Sequence, residues 1–177
     1  YRSDTEGQPD ITLDGTKEDY EKLRKQYPHL SIEECEYSCA GAEFYMKLLK
    51  HQGFMIHASA VEKEGKAYLF SAPSGTGKST HAQLWRQTFK GEPIRIINDD
   101  KPAVCLQNGV FYACGTPFSG KTDKNENRKA PIQGLCMLHR GKTNKIQKIT
   151  SGEALPLILP QTLFYGDEEE TNLLLSF

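Results

Sequence analysis

The sequence predicts a mixed α/β domain with an antiparallel-rich sheet, in which a glycine-rich loop joins one strand to the helix that follows it. Three observations predict it. Apolar residues recur at helical spacing in Glu34–Gln52 and in strand-like runs at Phe54–Val61 and Lys66–Ser71. Two short turn signals, Glu62–Gly65 and Gln107-Asn108-Gly109, separate pairs of such runs and read as hairpins. Between Ser71 and the next helix stands Ala72-Pro-Ser-Gly-Thr-Gly-Lys-Ser-Thr80.

Residues 1–32 are polar and broken by Gly, Pro and Asp, so they read as irregular, with one short helix in the charged stretch Thr16–Gln26. In Glu34–Gln52, Ala40, Phe44, Tyr45, Leu48 and Leu49 form a helical stripe that Gly53 is expected to end. Phe54–Val61 and Lys66–Ser71 then pair as a hairpin. Ser79–Phe89 is a helix with Leu84, Trp85 and Phe89 turned to the core, stopped by Gly91 and Pro93. Ile94–Ile97 is a short buried strand running into Asn98-Asp99-Asp100. Ala103–Leu106 and Val110–Cys114 flank the Asn-Gly turn, and Gly115–Asn127 is a polar loop. Gly134–Leu138 is an apolar strand, followed by a turn at Arg140-Gly141 and a strand at Lys145–Ile149. Thr150 and Glu153 have capping-box spacing and start a helix that Pro160 breaks. The acidic run Asp167–Glu170 opens a final helix. Residues 1–53 are thus an N-terminal segment packed on a core formed by 54–177, all within one structural domain.

A chain of 177 residues with a net charge of -1 offers no cationic surface for nucleic acid or membrane. It has no apolar run long enough to span a bilayer and no signal-peptide pattern, and it starts at Tyr1 rather than Met, as a chain whose native start lies upstream would. Its five cysteines include no C-x-x-C pair. Cys35 and Cys39 are one helical turn apart without a second pair at metal-finger spacing, so reduced thiols in a cytoplasmic protein are expected. An oligomer is compatible with the sequence.

Apart from Ala72 in its first position, the loop matches the phosphate-binding pattern G-x-x-x-x-G-K-S/T. Gly75 and Gly77 allow backbone N–H groups to turn toward one point and form an anion nest with Ser74 and Thr76. Lys78 reaches the β/γ-phosphates, Ser79 supplies a hydroxyl for Mg²⁺, and Thr80 adds a second hydroxyl. A helix starting near Lys78 adds its positive end. A glycine- and serine-rich turn before a helix is the plain alternative, but it leaves the Lys and two hydroxyls unexplained. A nucleoside triphosphate is the expected ligand.

Asp99 and Asp100 stand at the end of the next buried strand, where phosphoryl transfer needs one carboxylate for Mg²⁺ and another to take the acceptor's proton. The plain alternative is a strand-to-loop turn capped by an Asp side chain. His57, in the strand before the loop-entering strand, is placed to orient one carboxylate or tune its pKa. Lys121 and Arg128, in the polar loop, are candidates to bind an anionic acceptor, and a solvated charged loop explains each equally well. His29, His51, His81 and His139 show no metal-ligand spacing.

Ser74–Thr80 resembles the kinase loop of ATP-dependent phosphoenolpyruvate carboxykinase and, equally, that of HPr kinase/phosphorylase. His57 matches the histidine that the second family carries before its loop, and Arg95-Ile-Ile-Asn-Asp99-Asp100 resembles its R-L/I-V/I-x-D-D segment. The resemblance covers Phe54–Asp100 well and extends loosely to Leu138. It implies a carboxykinase-type fold, ATP with Mg²⁺, and transfer to a hydroxyl on a small molecule, a peptide or a protein serine. It implies that one Asp, with Asp99 favoured, is the base beside His57, while Asp100 and Ser79 serve the metal. The downstream glutamate signature of HPr kinase has no counterpart; Gly115–Lys121 occupies about that region. The chain is also too short for a complete carboxykinase, so decarboxylation is not expected.

The expected activity is therefore an ATP- and Mg²⁺-dependent kinase. Two other classes stay open. A regulatory module would bind nucleotide without turnover. A conventional phosphate-loop NTPase would hydrolyse without an acceptor and surround the loop with parallel strands.

Overall fold

The computed structural model describes residues 9–89, 91–163 and 167–177; the side chain of Lys121 lies outside that description. Two capped helices come first. Helix α1 is Lys17–Gln26, and Thr16 and Asp19 cap it reciprocally. Helix α2, Ile32–Leu49, starts the same way: the Glu34 N–H donates to Ser31 Oγ and the Ser31 N–H to Glu34 Oε2. This box starts α2 two residues before Glu34, where the apolar stripe alone places the helix. Gly53 does not end the helix. Gln52 takes the left-handed turn at φ 56°, and Gly53 already lies in a strand, where a Cβ would stand 3.0 Å from Leu48 and from Cys105.

The strands are β1 (Gly53–Met55), β2 (Ala58–Lys63), β3 (Lys66–Ser71), β4 (Arg95–Asn98), β5 (Ala103–Gln107), β6 (Val110–Cys114) and β7 (Lys129–Met137). Among the described residues they form one seven-stranded mixed sheet in the order β1-β5-β6-β7-β3-β2-β4. Both predicted hairpins are present, β2 with β3 and β5 with β6, each antiparallel. Their turns, Glu64-Gly65 and Asn108-Gly109, have positive φ at both residues, the twist that suits a two-residue hairpin.

The expected strand Phe54–Val61 is two strands. Ile56 bridges to Thr162, and the His57 N–H donates to the Gln161 carbonyl, so the chain leaves one pairing and enters another at His57. Upstream β1 pairs with β5, whereas β2 lies between β3 and β4. Strand β7 starts five residues before the expected Gly134. It lies against β6 at Lys129–Pro131 and then runs parallel to β3 over Ile132–Met137. Pro131 has no N–H to donate to a further β6 rung.

Helix α3 is Lys78–Thr88 and buries Ala82, with Trp85 packed against Phe70 and Tyr68. Leu84 is off this stripe and exposed, contrary to expectation. The predicted strand Lys145–Ile149 does not form. Ile146 and Ile149 are three residues apart, so a period-two strand would turn them to opposite faces; Ile146 is 87% exposed. The capping box at Thr150 does open a helix, α4 (Ser151–Ile158), which passes into a 3₁₀ turn at Leu159–Gln161. Helix α5 is Glu168–Leu175, capped by Asp167.

The core has three parts. Ile56, Ala58, Ala60, Leu69, Ile97 and Val104 fill one side of the sheet, and Val61, Phe70, Ala82 and Ile96 meet under α3. Tyr45 and Leu48 of α2 join Met55, Ala103 and Phe118, so the N-terminal segment shares a core with the sheet. No described helix is long and apolar enough to cross a membrane.

Candidate functional site

The Ala72–Thr80 loop leaves the end of β3 and enters α3 without a side-chain cap. Gly77 is the N-cap residue at φ 118°, and Gly75 has φ 75°. These angles exclude most side chains and leave the first N–H groups of α3 free of a capping oxygen. Lys78 is buried, with Nζ donating to the Ala72 carbonyl at 3.0 Å. Burial lowers its pKa, while the negative charges of Asp100 and Asp99 work in the opposite direction.

A cleft of about 310 Å³ opens at this loop, lined by Ser74, Gly75, Gly77, Lys78, Ser79 and Thr80. His57 and Asp100 line it from the other side. The topology explains the meeting. Strand β2 is antiparallel to both β3 and β4, so its first residues lie beside the last residues of both neighbours. His57, one residue before β2, and Asp100, two after β4, therefore stand beside the mouth of the loop.

The two aspartates have different surroundings. Asp100 Oδ1 lies 3.3 Å from His57 Nε2, and Oδ2 is ion-paired with Lys101. Burial pushes the Asp100 carboxyl up, but the His57 and Lys101 contacts outweigh it and bring it down to about 2. Asp99 is buried: Oδ1 accepts from Ser59 Oγ at 2.8 Å, and Oδ2 is buried with no partner among the described residues. The sequence reading favoured Asp99 as the partner of His57. The structure puts Asp100 there, because successive residues at a strand end point opposite ways and Asp99 turns inward to β2.

Asn98 holds this turn. Its Oδ1 accepts from the N–H groups of Asp100 and Lys101, and its Nδ2 donates to the carbonyls of Thr116 and Phe118. Gly120 passes so close that a Cβ would stand 2.6 Å from Asp100 Oδ2. Tyr45 of α2 donates to the Lys101 carbonyl at 2.6 Å. None of these contacts was read from the sequence. An Asn immediately before an Asp pair was the available signal, since Asx side chains fold back on following N–H groups.

Thr76 and Asp99 stand beside the cleft without lining it. Arg128 is elsewhere. It pairs with Glu62 at 3.0 Å and Glu126 at 3.3 Å, toward the far end of β2, so it is spent on holding the sheet. Lys121 lies in the 3₁₀ turn Gly120–Thr122, with its side chain outside the described residues. Arg140, expected only as a turn residue, does reach the loop: its Nη2 donates to the Gly75 carbonyl at 2.7 Å.

No family model matches the chain, and no curated protein matches it. Among the solved structures that match is the HPr(Ser) kinase/phosphatase from Coxiella burnetii, 12% identical with a TM-score of 0.39, over 54% of this chain and 65% of that one. The chain thus spans less than two thirds of that protein's length.

Proposed function

We propose that the protein binds ATP with Mg²⁺ at the Ala72–Thr80 loop and transfers the γ-phosphoryl group to a hydroxyl acceptor. One observation carries this reading: the loop and the His57–Asp100 pair, distant in sequence, line the same cleft. A carboxylate opposite the loop is placed to take the proton that any hydroxyl acceptor loses on phosphorylation. An antiparallel partner for β3 on one side also differs from the all-parallel surroundings of a conventional phosphate-loop NTPase.

The loop's N–H groups and Lys78 hold the phosphates, using the positive end of α3. Oxygen donors suit Mg²⁺: the Ser79 hydroxyl lines the cleft, and Asp99 Oδ2, buried just outside its lining, has no partner among the described residues. Bound there, the metal would offset charge on the phosphate oxygens. Asp100 lines the cleft beside His57 and Asp99 does not, so we assign Asp100 to the acceptor hydroxyl rather than to the metal. Its carboxylate is ionised throughout the neutral range and accepts the hydroxyl proton as the phosphoryl group departs. His57 keeps the carboxylate oriented and shares the proton.

The test uses labelled ATP with a panel of hydroxyl acceptors and with cell lysate. Lys78→Ala should abolish both nucleotide binding and transfer. Asp100→Asn should lower transfer by about 10²–10⁴-fold, the range for loss of a general base, and leave ATP binding within a few-fold of wild type. Absence of any Lys78-dependent transfer would refute the kinase reading, and ATP-dependent heat stabilisation without product would identify a binding module instead.

A further inference from the structure

The fold has a second, larger cavity that the proposed chemistry does not use. It measures about 680 Å³ and lies between the end of β7, the segment 145–151 and helix α4. Its apolar lining includes Leu135 and Met137 from β7 and Leu157 and Ile158 from α4. Lys145 and Lys148 also line it, along with the polar side chains of Gln147 and Thr150. The volume lies within the range of small-molecule sites, and the mixture of apolar surface with a few polar groups is typical of them.

Its position relative to the loop gives it meaning. Strand β3, which feeds the loop, has β2 on one flank and β7 on the other. His57 and Asp100 belong to the β2 and β4 flank. On the opposite flank β7 leaves the sheet beside β3, with the Leu138 N–H donating to the Ser71 carbonyl at 2.8 Å. Two residues on, Arg140 is hydrogen-bonded to Gly75 within the loop. The cavity is therefore continuous along the chain with the loop, on the side away from the His57–Asp100 pair.

A triphosphate has two different ends. If its γ end faces His57 and Asp100, its α end and nucleoside leave the loop on the other side. We propose that the nucleoside of the bound triphosphate occupies the cavity between β7 and α4, with Arg140 spanning the phosphates that join it to the loop. This rests on the triphosphate reading above and adds the orientation of the ligand. An aromatic base would cover the apolar walls and the exposed Ile146, and the Met137 thioether offers a favourable contact for its ring. The Arg140 guanidinium, held at the Gly75 carbonyl, suits the α-phosphate that leaves the loop beside it.

Calorimetric binding of Mg–ATP and of Mg–tripolyphosphate to the same protein tests this. Tripolyphosphate keeps the charged chain and lacks the nucleoside. Wild-type protein should bind ATP at least tenfold more tightly than tripolyphosphate. Ala154→Trp fills the cavity from α4 without removing an existing contact, and Ile146→Asn changes a residue too exposed to affect folding. Each should weaken ATP fivefold or more and leave tripolyphosphate unchanged, with circular dichroism matching wild type. The proposal is overturned if ATP binds no tighter than tripolyphosphate. Unchanged ATP affinity in both variants, as when the cavity takes the acceptor instead, also overturns it. So does equal weakening of the two ligands in Ile146→Asn. Lys78→Ala is the separate control: it should weaken both ligands, and its failure to weaken either refutes the triphosphate site itself.

Discussion

At the residue scale, Asp100 concentrates the site's electrostatics. Its folded pKa of about 2 lies below the ordinary carboxylate value of 3.8. A depressed carboxylate stabilises the folded state above the unfolded pKa and loses that contribution as pH falls through the folded one. The difference corresponds to about 2 kcal/mol at neutral pH, as an upper figure for a side chain still partly wetted. Asp100→Asn should therefore lower the melting temperature at pH 7 in metal-free buffer. The gap from wild type should close as the pH drops from about 4 toward 2; a constant gap would refute the linkage. Much at this scale was legible in sequence. The loop residues, His57 and the Asp pair were all named, and the structure brings the loop, His57 and Asp100 to one cleft. Which Asp faces His57 was not legible, since that depends on the pleat at the end of β4. Nor were Asn98, Gly120 and Arg140, whose contacts exist only once distant loops meet.

At the element scale, local signals were reliable where the chain satisfies itself. The Thr150–Glu153 box marked the start of α4, and both two-residue hairpin turns marked the strands they join, because each device closes within a few residues. Signals that depend on a tertiary neighbour failed. Gly53 looked like a helix stop and is a strand residue packed against Cys105. Lys145–Ile149 looked like a strand, but its two isoleucines cannot share a face. Ser31 at the start of α2 offers a direct measurement. Ser31→Ala removes the acceptor of the Glu34 N–H and should destabilise the protein by about 1 kcal/mol in denaturant unfolding. A comparable loss is expected for Thr150→Ala, which breaks the corresponding bond to Glu153.

At the scale of the whole molecule, the N-terminal helices are part of the site's support. Tyr45 reaches from α2 to the Lys101 carbonyl and to Thr116 Oγ1 at 2.8 Å, next to the turn that carries Asp100. Burial raises the Tyr45 hydroxyl well above its ordinary value, so it stays protonated and able to donate. Tyr45→Phe leaves the Lys101 carbonyl with the Thr116 hydroxyl as its one side-chain donor among the described residues and should cost about 1–2 kcal/mol of stability. On the proposed function it should also reduce transfer more than ATP binding, because it leaves the Ala72–Thr80 loop untouched. Equal effects on both would show that α2 supports the sheet generally rather than the Asp100 turn. The mixed α/β class was legible from hairpins and periodicity, whereas the parallel β3–β7 pairing was not, because no local pattern encodes a partner so far along the chain.

That pairing has a consequence for how the molecule assembles. The β2–β3 hairpin closes over two residues, whereas Ala67 waits for Ile132 to arrive. Long loop closure is entropically costly, so contacts between distant strands form slowly. The His57 side of β3 is therefore bounded early in folding, and the β7 side late. A ligand held on both sides of β3 would act as a brake on the reverse event, the peeling away of β7, and would slow unfolding more than it speeds folding.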